Sequence, residues 1–137
     1  MCYTVLSVFG GIHMATPEKK VKERAKKILN ELGAYYFFPS SGYGGRSGVP
    51  DIIGCYEGLF FGIECKAGKN KPTKLQLKEL KDIEDSGGLP LIFTDSMKPA
   101  ELKTALIKAA LEGTIDDLKN DEKDAAYWSH WALQNIS

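Results

Sequence analysis

The sequence predicts an α/β fold: a small mixed β-sheet flanked by helices. Three observations predict it. Apolar periodicity runs along the chain in the order helix, strand, strand, strand, helix, strand. Two of the strand-like runs, residues 49–56 and 59–67, are separated only by Glu57-Gly58, which suits a tight hairpin turn. The length of 137 residues, 43% apolar, fits one soluble domain with a real core.

The elements follow in chain order. Residues 1–13 are mildly apolar but lack a basic leader region, so they make a poor signal peptide. They read as an N-terminal extension: an extra strand, an upstream start or a cloning remnant. Residues 14–137 form the single domain. Thr16-Pro17-Glu18 opens a helix with an N-cap, a Pro at the first helical position and an acid in the first turn. Val21, Ala25, Ile28, Leu29 and Leu32 share one face, lysines and Arg24 cover most of the rest, and Gly33 ends it. Residues 34–39 read as a first strand. Residues 40–47 are a Ser/Gly loop carrying Tyr43 and Arg46. The hairpin comes next, with Pro50 tolerated because it lies at the edge of the pairing. Residues 68–72 are a basic loop, and residues 73–86 a second helix stopped by Gly87-Gly88. Residues 89–94 read as a short buried strand. Leu102, Ala105, Leu106 and Ala109 mark a third helix. Residues 116–124 are strongly acidic, and residues 125–133 close the chain as a helix with Tyr127, Trp128 and Trp131 as core or a dimer contact.

The hairpin carries the chemistry. A turn centred on Glu57-Gly58 pairs Tyr56 with Leu59 and Asp51 with Glu64. Directly opposed residues have Cβ atoms roughly 5 Å apart. Lys66, two beyond Glu64, shares its face. Two opposed carboxylates repel unless a cation sits between them, and a divalent metal ion removes that cost. Ile52, Ile53, Phe61 and Ile63 make both strands look buried, and buried acids are rare without partners. Asp51 and Glu64 are therefore the candidate metal ligands. Hard oxygen donors suit Mg²⁺ or Mn²⁺.

The net charge is zero, but its distribution is uneven. Residues 1–81 carry 13 Lys/Arg against 7 Asp/Glu, and residues 82–137 carry 5 against 11. The basic half holds the carboxylates, which is compatible with phosphate binding, although for charge alone solvated helix faces are the favoured account. Arg46, Lys69, Lys71 and Lys74 flank the hairpin as candidate phosphate contacts. The cysteines, Cys2, Cys55 and Cys65, are odd in number, and Cys55 and Cys65 fall on opposite faces of the hairpin. A reduced, cytoplasmic protein with buried thiols is expected. No run approaches a membrane span. His13 and His130 show no ligand spacing.

Gly48-Val49-Pro50-Asp51-Ile52-Ile53-Gly54 and Ile63-Glu64-Cys65-Lys66-Ala67-Gly68, followed by Thr73, Gln76 and Gly87-Gly88, resemble the VRR-NUC family, the virus-type replication-repair nucleases. These belong to the PD-(D/E)xK nuclease superfamily, and the resemblance is to a small, stand-alone, phage-like form. It covers roughly residues 17–94. It implies a restriction-endonuclease-like core and a metal-dependent DNA endonuclease that leaves 5′-phosphate and 3′-hydroxyl ends, located in the host cytoplasm if phage-encoded. It also implies the backbone carbonyl of Cys65 as a further metal ligand. Lys66 then orients the attacking water and stabilises transition-state charge, although a plain salt-bridge partner would share its geometry.

Gln76 has two readings. It is N3 of a Thr73-Lys74-Leu75-Gln76 capping box, and it sits where the family places an active-site Gln. Glu18 and Glu23 compete for the family's helix carboxylate. Glu18 falls within the apolar stripe that faces the sheet and Glu23 opposite it, so Glu18 is favoured, with helix-dipole stabilisation as its plainer role. With the short chain, the resemblance suggests branched DNA such as a four-way junction, cut during repair or recombination by a homodimer. The alternative is a DNA-structure-binding accessory protein without cleavage. A sequence-reading restriction nuclease ranks lower, because no recognition subdomain is visible.

Overall fold

The computed structural model describes residues 16–40 and 45–113, together with residue 134. Among these lies a four-stranded mixed sheet in the order β1 (Tyr35–Phe37), β2 (Ile52–Tyr56), β3 (Leu59–Lys66), β4 (Leu89–Thr94). β1, β2 and β3 are antiparallel neighbours, and β4 runs parallel to β3. Helix α1 (Pro17–Leu32) precedes the sheet, α2 (Lys74–Asp85) makes the crossover from β3 to β4, and α3 covers residues 99–113. The α/β class and the flanking helices are as the sequence predicts.

Local chemistry sets each element. Thr16 Oγ1 accepts from the Lys19 N–H at 3.2 Å, and Pro17 starts α1 where no N–H is needed. Gly33 ends the helix at φ 71°. Glu57 and Gly58 both take positive φ, 49° and 79°, as a type I′ hairpin turn requires. The pairing register is therefore the predicted one, from Tyr56–Leu59 to Ile52–Ile63.

The core lies between one face of the sheet and helices α1 and α3. Val21, Ala25, Ile28 and Leu29 meet Ile52, Phe61, Ile63, Cys65 and Phe93, with Leu102 and Leu106 beside them. Helix α2 packs on the opposite face. A Cβ on Gly62 would meet Ile83 Cδ1 at 2.6 Å and Pro50 Cγ at 3.1 Å, so α2 packs closely on β3 at this position.

Four expectations need correction. The strand expected at residues 49–56 begins only at Ile52, because Pro50 has no N–H and the Asp51 side chain takes the next free donor, Cys65 N–H. The strand expected at residues 34–39 is only Tyr35–Phe37. β4 is not a buried strand. Among the described residues it is paired on one side only, it tolerates Pro90, and it buries Phe93 alone. Cys55 is exposed rather than buried, because α2 does not cover the face of β2 that carries it; Cys65 is buried, and neither is bridged. The acidic run at 116–124, the helix at 125–133 and residues 1–13 lie outside the described residues.

Candidate active site

Two helix N-termini meet the carboxyl end of β3. Asp51 sits one residue before β2, behind the fully buried Pro50. Its Oδ2 accepts from Cys65 N–H at 2.9 Å, which ties it to β3, and its Oδ1 lies 3.2 Å from Lys22 Nζ on α1. Glu64 is buried, its side chain 2% exposed. Its Oε1 accepts from Gln76 Nε2 at 3.1 Å and lies 3.8 Å from Lys66 Nζ. Its Oε2 has no hydrogen-bond partner.

Burial first, and the adjacent Asp51 carboxyl after it, push the Glu64 carboxyl up to about 8, while Lys66 opposes. Between them the two acids lack a donor that only a shared proton or a cation can supply. Burial likewise pushes the Cys65 thiol up to about 12, so at this position the backbone and not the sulfur is available to a ligand.

The rest of the cluster is built from first-turn residues. Lys66 is nearly buried, with its ammonium between Glu64 and Glu18, whose Oε1 is 3.9 Å away. Glu18 Oε2 accepts from Asn70 Nδ2 at 3.0 Å. Glu23 is exposed on the same helix and, like Glu18, lines the groove beside the cluster. Gln76 meets both of its readings at once. Its Oε1 accepts from Thr73 N–H at 2.9 Å, completing the capping box, while its Nε2 donates to Glu64. Beside the cluster a groove of about 1080 Å³ runs between the start of α1 and the turn at residues 67–70.

No family model matches the sequence, and no curated protein matches it. A solved structure described as a VRR_NUC domain does match. It is 30% identical over 58% of this chain and 87% of that one, with a TM-score of 0.50. The chain belongs to the VRR-NUC family of nuclease domains.

In this VRR-NUC domain the structure brings together Asp51, Glu64, Lys66, Gln76 and Glu18. It does not bring Arg46 to them. Arg46 Nε and Nη2 grip Glu79 at 2.8 and 3.0 Å, and the pair lines a separate depression on the α2 side. Lys69 lines the groove; Lys71 and Lys74 are exposed nearby in sequence and, like Lys69, make no ion pair among the described residues.

Sequence reasoning missed Lys22 and Asn70. Lys22 is one helical turn after Glu18, so the phase argument that selects Glu18 also reaches it. Asn70 had no signal, since its role depends on the turn closed by its N–H to Ala67 O at 3.1 Å.

Among the described residues no group of three His, Cys, Asp or Glu side chains is arranged to hold a metal. Two carboxylates still suit Mg²⁺ or Mn²⁺, which keep several waters and take few protein ligands. The orphaned, buried Glu64 Oε2 beside a second acid fits that demand.

Proposed function

We propose that this domain is a Mg²⁺- or Mn²⁺-dependent DNA endonuclease that hydrolyses phosphodiester bonds. The observation that carries the reading is the adjacent pair of half-buried Asp51 and buried Glu64, the first held by the Cys65 N–H and the second by the Gln76 amide, with the Lys66 ammonium beside Glu64. Asp51, Glu64 and the backbone carbonyl of Cys65 would hold the ion. When bound, it supplies charge stabilisation at the scissile phosphate and makes water acidic enough to deprotonate at neutral pH.

The chain's own groups do the rest. Lys66 Nζ, held from two sides by Glu64 and Glu18, orients the water and offsets the charge that builds on the phosphate. The Gln76 amide fixes the Glu64 carboxylate. Lys69, Lys71 and Lys74 steer the backbone. Arg46 serves there only if it leaves Glu79.

The preferred substrate is branched DNA such as a four-way junction, cut by a homodimer in the cytoplasm. No described helix is long and apolar enough to cross a membrane. The test is cleavage of a labelled four-way junction and a matched linear duplex in Mg²⁺ or Mn²⁺, beside Lys66→Ala. Metal-dependent nicking that disappears in Lys66→Ala supports the nuclease and its site. Junction binding without cleavage in either metal points instead to a structure-binding accessory protein. Equal cutting of the duplex removes the branch preference.

A further inference from the structure

We infer that the groove beside the carboxylates receives a DNA strand that is unpaired at the point of cleavage, and that Phe38 is the ring on which one of its bases stacks. The inference rests on the nuclease reading and narrows its substrate.

Phe38 follows β1. Extending the β1–β2 register one step past Phe37–Ile53 sets it opposite Ile52, the neighbour of Asp51. It shares a sheet face with Tyr36, and the two rings meet edge to face at 6.0 Å and 89°. Tyr36 is itself anchored, its hydroxyl donating to Asn30 Oδ1 at 2.6 Å. The ring is thus braced from behind, yet 42% of Phe38 remains exposed, and it lines the groove.

The same groove carries Lys19, Lys22 and Lys69. Lys19 and Lys69 make no ion pair among the described residues, and Lys22 reaches Asp51. Of the acids on the groove, Glu18 is held by Asn70 and Lys66, and Asp95 accepts from Gly68 N–H at 3.1 Å; Glu23 stays exposed. A polyanionic strand therefore has free ammonium groups along its path.

A phenyl ring has neither donor nor acceptor. It cannot hold a phosphate or hydrogen-bond a base edge. In a continuous duplex the base faces are hidden by stacking, and the ring would meet sugar, phosphate and groove edges. Its exposure beside the reacting groups suits one partner on nucleic acid, the face of an unstacked base, which every base offers regardless of sequence.

The test uses the full chain carrying Lys66→Ala, bound to a branched junction with one single-stranded arm and 2-aminopurine at its unpaired positions beside the branch. Quenching at one such position is expected. Adding Phe38→Ala abolishes it and weakens binding by about tenfold, whereas Phe38→Trp retains both. Binding of an uninterrupted duplex changes less than twofold. Unchanged quenching in Phe38→Ala, or equal weakening on junction and duplex, overturns the inference. A wild-type chain that never cleaves but quenches through Phe38 sinks the nuclease reading alone. Metal-dependent cleavage indifferent to Phe38→Ala sinks the stacking role alone.

Discussion

At the scale of single residues, Glu64 governs the most. Its ordinary value is 4.5, and in the fold it lies at about 8. The folded chain therefore keeps a proton that the unfolded chain releases, and this group's support is full below pH 4.5 and is lost as pH rises to 8. Metal-free protein should lose more stability between pH 5 and 8.5 than Glu64→Gln does, which urea midpoints at the two pH values would show. A wild type and variant that fall in parallel would contradict the burial of this acid. Lys66→Ala should lower cleavage by roughly 10²–10³-fold, the usual effect of losing one transition-state charge partner. Lys22→Met removes the cation that sits on Asp51 without metal, so Mn²⁺ should bind more tightly, as calorimetry can measure. Lys22 hid in the sequence because α1 has many cations, and side-chain reach across to Asp51 is not written in a helical pattern. Arg46 misled for a related reason: its partner Glu79 is 33 positions away, and nothing local marks the pair.

At the scale of elements, the hairpin was legible and the helices nearly so. Two adjacent turn residues with positive φ leave one register, and that register brought Asp51 to Glu64 before any coordinates were needed. What the pattern could not say was which sheet faces the helices would cover. The exposure of Cys55 depends on where α2 lies, and no local pattern in β2 records that. Gly62→Ala should destabilise the chain by about 1–3 kcal/mol, because Ile83 and Pro50 close on the added methyl; a thermal melt would detect it. Thr73→Ala should cost about 1 kcal/mol through the lost cap. It should also reduce cleavage more than a surface change of equal cost, because the first turn of α2 carries Gln76.

At the scale of the whole molecule, the two helix starts and the end of β3 converge, so the positive ends of α1 and α2 lie beside the acids and any phosphate placed there. The uneven charge of the chain works with this arrangement, and binding should weaken steeply as salt is raised. Gln76 ties the scales together, because one amide serves two masters: its oxygen caps the helix and its nitrogen holds Glu64. A carboxylate at this position can still cap, but it cannot donate, and it would set a third negative charge against the pair. Gln76→Glu should therefore yield a chain that keeps its cap and its fold, melts somewhat lower than its parent and does not cut. Along a lineage, drift at this position would leave a silent scaffold, still folded and retired from its chemistry.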